Sequence, residues 1–194
     1  MSLASLAAVA LGAMLANNFV FSQLLGLRPF LGSSGKLSAA ALMGACVTLA
    51  MGLASAACWL LNRFVLEKFG LNDLRIGAFV LVILLLLGLA ELLLRRTPAL
   101  RASLGVCLPQ AAVNSAVLGA VLLNVRNGGG FAESLAYGIA GGLGVLLASV
   151  LMAGIRDRLT FAEAPESFRG FPLALVAAGL VALAFQGFSG LQIW

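Results

Sequence analysis

Six runs of roughly 20 apolar residues, the length that crosses the hydrocarbon core of a bilayer as a helix, make up most of this 194-residue chain. They fall at about 2–25, 38–61, 74–94, 100–124, 134–155 and 171–191. The joints between them are short. Pro29 with Gly32, Ser33, Ser34 and Gly35 ends the first run; charges mark Asn62–Asp73; Arg95, Arg96 and Pro98 form a basic joint; Asn127–Gly130 is a glycine turn; Arg156–Gly170 is the longest polar stretch. Composition agrees with the spacing, since 62% of residues are apolar and 10% are charged, whereas a soluble domain is about 45–50% apolar and about 25% charged. A compact soluble fold of this size leaves about 30% of its unfolded surface in water and would display large apolar patches. The sequence therefore predicts an all-α integral membrane protein with six transmembrane helices, forming a single membrane domain over residues 1–194 with lipid as its solvent.

A net charge of +5 would suggest a nucleic-acid partner on a soluble protein. In a membrane chain the placement of the basic residues matters more than their sum, and no nucleic-acid partner is predicted. The odd-numbered joints hold Arg28, Lys36, Arg95, Arg96, Arg101, Arg156, Arg158 and Arg169, against Arg63, Lys68, Arg75 and Arg126 in the even-numbered ones. The positive-inside bias then places the odd joints in the cytoplasm and both termini on the outer side. Trp59 and Trp194 fall at outer span ends, where interfacial aromatic anchors are expected. The segment Met1–Ala16 has no basic n-region, so no cleaved signal peptide is expected. The chain has no histidine, and its three cysteines include no C-x-x-C pair. This excludes imidazole general bases, His-based triads, zinc fingers and a disulfide framework.

Amides and ionisable groups at membrane depth are costly and are functional candidates by default. Asn17 and Asn18 interrupt span 1, Gln110 and Asn114 interrupt span 4, Gln186 lies in span 6, and Glu91 stands near the inner end of span 3. Glu91 fits either an i,i+4 pair with Arg95 or a role in coupling protons or sodium. Spans 1 and 4 share a pattern that the others lack: Asn17-Asn18 precedes Gly26-Leu27-Arg28-Pro29, and Pro109-Gln110 precedes Asn114-Ser115 and Gly119. Such residues suggest broken helices, tolerated only where the freed backbone groups are buried in protein or line a cavity. Because the two breaks lie three spans apart, the halves 1–99 and 100–194 would insert in opposite senses, as an inverted 3+3 repeat with a midplane site. Span 5 carries Gly138, Gly141, Gly142 and Gly144 at helical spacing, a face that serves either packing within the bundle or docking of a partner.

At these same residues the chain resembles a known family. The strings NNFVFSQLLGLRPFLG (Asn17–Gly32), LPQAAVNSAVLGAVLLN (Leu108–Asn124), AGIRDRL (Ala153–Leu159) and FRGFPLALVAAGLVALAFQGFSGL (Phe168–Leu191) closely resemble the A subunits of the Rnf (Rsx) electron-transport complexes. They are also similar to the E subunit of the sodium-translocating NADH:quinone reductase, and the resemblance covers the whole chain. It implies a six-span inner-membrane subunit that works with the B, C, D, E and G subunits, closest to the homologous E subunit in inverted orientation. The complex carries electrons between ferredoxin and NAD, coupled to proton or sodium movement, with flavins in other subunits. The resemblance also implies a [2Fe-2S] cluster shared with the E subunit, each chain giving two cysteines from the motifs GLCPF and TNCAVLG. This sequence departs at both, with Arg28 in GLRPF and Ser115 in VNSAVLG. A guanidinium is cationic and has no acceptor, and a hydroxyl is a poor substitute for thiolate.

The remaining cysteines do not restore the motif. Cys46 and Cys58 are 12 residues apart on span 2, which separates them by about 18 Å along a helix, and Cys107 lies 8 residues before Ser115. All three read as small buried hydrophobes, and a cluster would take its cysteines from the partner subunit. The leading expectation is a non-catalytic membrane subunit of the electron-transfer complex, with the broken spans on the coupling route. The alternatives are a small inverted-repeat secondary transporter built round Asn17, Asn18, Gln110 and Asn114, and a structural anchor without a redox role.

Overall fold

The structure, a computed structural model, describes residues 8–27, 37–95, 107–112 and 114–190. The described elements are helical, with no strand among the described residues. Helix α1 (residues 8–16) ends in the π-turn Gly12–Ala16. Helix α2 is Leu37–Leu61 and runs through the π-turn Asn62–Leu66 into Glu67–Phe69. Helix α3 is Arg75–Leu94, α4 is Cys107–Ala112, α5 is Ser115–Asn127, α6 is Phe131–Leu159 and α7 is Phe171–Gln186. Three helical stretches, Leu37–Phe69, Arg75–Leu94 and Phe131–Leu159, are long and apolar enough to cross a bilayer, and α7 is a shorter apolar helix of 16 residues.

Several boundaries differ from those read in the sequence. The polar joint expected from Asn62 is helical as far as Phe69, because Asn62 and Arg63 both pair with Glu67 along the same turn, at 2.8 and 3.0 Å. The joint expected from Arg156 begins only after Leu159. Arg156 and Arg158 stay in the last turn of α6, where cations offset the negative end of the helix dipole. Span 1 is interrupted, as its amides and glycine suggest: its described helix stops at Ala16 and residues 17–26 form an irregular loop. Span 4 is likewise interrupted where expected, divided into α4 and α5, and Asn114 between them has extended backbone.

Helices α2 and α6 form the centre, packed side by side over most of their length. The face of α2 that meets α6 runs through Gly44, Thr48, Met51, Gly52 and Ser55, and the face of α6 against it carries Gly138, Gly141 and Gly142. Water gives no driving force between helices inside a bilayer, so close van der Waals approach has to hold them. The glycines allow it: a Cβ on Gly142 would lie 2.5 Å from Cα of Thr48, and one on Gly44 would lie 2.7 Å from Cα of Leu146. The glycine face of α6 thus serves packing within the bundle. Ser149 on the same helix donates to the carbonyl of Val145 at 2.8 Å. By contrast, α3 buries only Phe79 and Ile83 and presents Leu81, Leu84, Leu85, Leu89 and Leu92 outward. A helix with this exposure is stable in lipid or against another chain, and not in water.

At the α2 end, the Trp59 indole donates to the carbonyl of Gly129 at 3.0 Å and meets the Phe131 ring edge-on, fixing the turn between α5 and α6. Trp194 and the joint 28–36 lie outside the described residues.

Replacing Gly142 by Val forces a backbone collision and should cost about 1–3 kcal/mol, read as a lower unfolding midpoint in detergent. Gly179→Ala, where nothing lies within 4 Å, should leave the midpoint unchanged or slightly higher.

Candidate functional site: two broken helices meeting

After the π-turn, the chain leaves helical geometry and enters a loop whose backbone groups must find partners away from water. Asn18, with no exposed surface, supplies most of them. Its Oδ1 accepts from the backbone N–H of Val20 at 2.9 Å and of Phe21 at 3.3 Å, while its Nδ2 donates to the carbonyls of Met14 at 2.9 Å and Gly144 at 3.1 Å. One side chain therefore ties the end of α1, the loop and α6 together. Gly144 is where α6 comes close enough for this, since a Cβ there would lie 3.1 Å from Asn18 Nδ2. Phe19 fills the adjacent gap over Gly141 and packs edge-on against Tyr137. Further along, Leu24 has φ of 55° and Gly26 has φ of +74°. A leucine in the left-handed region costs on the order of 1 kcal/mol or more and persists because its surroundings impose it.

The second break faces the first. Asn114 caps α5, its Oδ1 accepting from the N–H of Ala116 at 3.0 Å. Asn18 and Asn114 thus make the same bond, to the N–H two residues on. Across the junction, the Gly26 N–H donates to Ser115 Oγ at 3.0 Å, and Leu25 covers Gly119. Asn114 is 5% exposed, and its Nδ2 is buried without a hydrogen-bond partner among the described residues.

The residues singled out in the sequence are distributed unevenly. Asn18, Asn114 and Ser115 belong to this junction. Asn17 and Gln110 are exposed beside it. Glu91 lies on α3 and pairs with Arg95 at 3.5 Å, both side chains about half exposed. Arg28 lies outside the described residues, two positions beyond Gly26.

Two polar groupings were not read from the sequence. Asn124 on α5 donates to the carbonyl and the hydroxyl of Ser134 on α6, and Ser134 Oγ donates to the carbonyl of Ser55 on α2 at 3.3 Å, linking three helices. The other is the approach of Cys46 on α2 to Cys107 at the start of α4. Nothing in one sequence relates residues on different spans, so neither grouping had a local signal. A cleft of about 720 Å³ between the ends of α6 and α7 is lined by Arg156, Asp157, Thr160, Arg169 and Phe171, none of them part of the junction.

An iron–sulfur ligand set does not fit the junction as this chain builds it. Thiolate is the ligand such clusters take; the hydroxyl of Ser115 stands at one family position and already accepts from Gly26. The other position carries Arg28, whose guanidinium has no lone pair to give.

Fold and site together define a polytopic all-α membrane protein organised around two interrupted helices. The Rnf-Nqr subunit family of membrane proteins matches residues 6–192, and the chain belongs to that family. Three relatives, each named as the A subunit of an ion-translocating oxidoreductase complex, are similar along nearly their full length. The protein of Syntrophotalea carbinolica is 46% identical over 184 residues, covering 94% of this chain and 95% of its own. Those of Yersinia enterocolitica and Serratia proteamaculans are 46% and 47% identical over 181 residues, covering 93% of this chain and 94% of each relative.

Asn18→Leu leaves the N–H groups of Val20 and Phe21 without their acceptor and takes a donor from the carbonyls of Met14 and Gly144, and should cost at least about 2 kcal/mol, whereas Ser115→Ala removes one neutral acceptor and should cost about 0.5–1.5 kcal/mol. Unfolding midpoints in detergent rank the two. An equal or larger effect of Ser115→Ala would contradict the assignment of Asn18 as the main tie.

Proposed function

We propose that this chain is the A-type membrane subunit of an ion-translocating electron-transfer complex, in which it forms part of the path coupling redox change to ion movement. The similarity to relatives of that name over more than nine-tenths of both partners carries the reading. Its finer form has ferredoxin and NAD as the electron partners, protons or sodium as the ion, and the bacterial inner membrane as the location. The homologous E subunit is the closest neighbour. The outward leucines of α3 supply an apolar face for lipid or for such a neighbour. Family membership favours the complex subunit over a free-standing transporter.

The role of the chain's own residues is one of holding. Asn18 and the α5 cap keep two non-helical segments together at membrane depth, so the junction is a place where backbone dipoles, rather than side-chain charges, face one another. Such interrupted helices are where transporters bring polar groups to the midplane. Asn18 and Asn114 position the two segments, and Asn114 Nδ2, unpartnered among the described residues, is a donor for a water, ion-bound water or neighbouring carbonyl.

Deleting this chain's gene from its host should abolish ferredoxin-dependent NAD reduction by inverted membrane vesicles together with the ion gradient it builds, and a plasmid copy should restore both. Unchanged activity would overturn the proposal. The charge distribution predicts that Asn127→Cys is labelled in intact cells by a membrane-impermeant maleimide, and Glu163→Cys only after permeabilisation. The reverse pattern would invert the orientation.

A further inference from the structure

The last turn of α6, the joint 160–170 and the first turn of α7 enclose the cleft of about 720 Å³, a volume within the range of about 300–1,000 Å³ typical of small-molecule sites. Its ionisable lining is balanced. Arg156 and Arg169 bring two guanidinium groups, and Asp157 and Glu163 bring two carboxylates. The joint fixes part of this wall. Arg169 Nε donates to the carbonyl of Ala164 at 2.9 Å, and since a guanidinium carries five donors in a rigid fork, one such bond aims the group and uses a single donor. Thr160 Oγ1 donates to the carbonyl of Asp157 at 2.6 Å and closes the end of α6.

The helix ends add poles of the same two signs. The first turn of α7, which begins at Phe171, lines the cleft with the positive end of its dipole, and the last turn of α6 lines it with the negative end. Apolar surface continues outward from there. Phe161 is 83% exposed and Phe171 is 58% exposed, and α7 turns Leu175, Leu180 and Leu183 to the outside. Rings this open beside charged groups are unfavourable in water and belong at the boundary between headgroups and acyl chains. A soluble phosphate ester would meet the polar lining and leave these rings uncovered, whereas a lipid meets both.

We propose that the cleft holds the headgroup of a phospholipid that carries a primary ammonium as well as a phosphate. The phosphate lies against Arg156, Arg169 and the first turn of α7, the ammonium against Asp157 and Glu163, and the acyl chains run along the outward leucines of α7. Basic pockets between membrane helices take anionic headgroups; the two carboxylates here favour a zwitterion instead. Guanidinium groups bind phosphate through charge-assisted hydrogen bonds, and an ammonium offers three donors to carboxylates, which the quaternary ammonium of a choline headgroup lacks. The inference goes beyond the proposed function and does not depend on it.

The test uses the purified full-length chain in detergent, stripped of co-purified lipid. Native mass spectrometry follows its titration with dioleoyl phosphatidylethanolamine, phosphatidylcholine and phosphatidylglycerol in turn, and with free phosphoethanolamine. One phosphatidylethanolamine per chain is expected, bound about 10-fold more tightly than either other lipid, the scale of one hydrogen bond to a charged group. Arg169→Gln should weaken its binding by about 10-fold. The double variant Asp157→Asn, Glu163→Gln should remove the preference over phosphatidylcholine while binding persists. Arg126→Gln, at an exposed arginine near the end of α5, should change nothing. Circular dichroism confirms that each variant remains folded. Equal affinity for the ethanolamine and choline lipids, tighter binding of phosphatidylglycerol, or binding indifferent to both sets of substitutions overturns the proposal. Free phosphoethanolamine bound as tightly as the lipid would assign the cleft to a soluble phosphate ester and overturn the lipid assignment.

Discussion

A bilayer core offers no water to a backbone that leaves helical geometry, so every N–H and C=O of such a segment needs a partner within the protein. Asn18 meets this condition for the loop after α1. Its two donors and its acceptor oxygen serve Met14, Gly144, Val20 and Phe21, its carbonyl accepts from Ser22 and Gln23, and Leu25 donates to Phe19. The rest of the architecture is arranged to permit this. Helix α6 must come within hydrogen-bonding distance, which requires glycine at 144, and it must lie close against α2, which requires glycine at 138 and 142. The glycine face that could have docked a partner is consumed by these internal contacts.

The junction between the two breaks is held by neutral groups. Gly26 and Ser115 meet through a backbone N–H and a hydroxyl, at one of the positions where the family resemblance implies metal ligation. A neutral hydrogen bond of this kind contributes only about 1 kcal/mol, far less than metal–thiolate bonds. Alignment of the segments therefore depends on packing, on Phe19 over Gly141 and Leu25 over Gly119, and on the two asparagine caps. Two of the three thiols, Cys46 and Cys107, approach one another elsewhere, at the contact of α2 with α4.

Much of the fold was legible in the residues. The hydrophobic runs give the long helices α2, α3 and α6, and the proline, glycine and amide clusters mark where spans 1 and 4 are interrupted. Helix ends were less legible, because Asn62, Arg156 and Arg158 look like loop residues until their pairing with Glu67 or with a helix dipole is visible. The junction was half legible. Asn18 and Asn114 stand out as costly amides, but that Asn18 bonds Gly144 across 126 positions, or that Cys46 meets Cys107, depends on helix packing that no local pattern encodes.

The bonds of Asn18 and the packing of Phe19 and Leu25 hold the irregular segment 17–27 as firmly as the helices around it. Amide hydrogen exchange of the chain in detergent or nanodiscs, read by mass spectrometry over peptides covering 17–27, 131–159 and 160–170, measures this directly. Segment 17–27 should exchange nearly as slowly as the helix 131–159 and far more slowly than the exposed joint 160–170. Exchange of 17–27 as fast as that joint would contradict the claim.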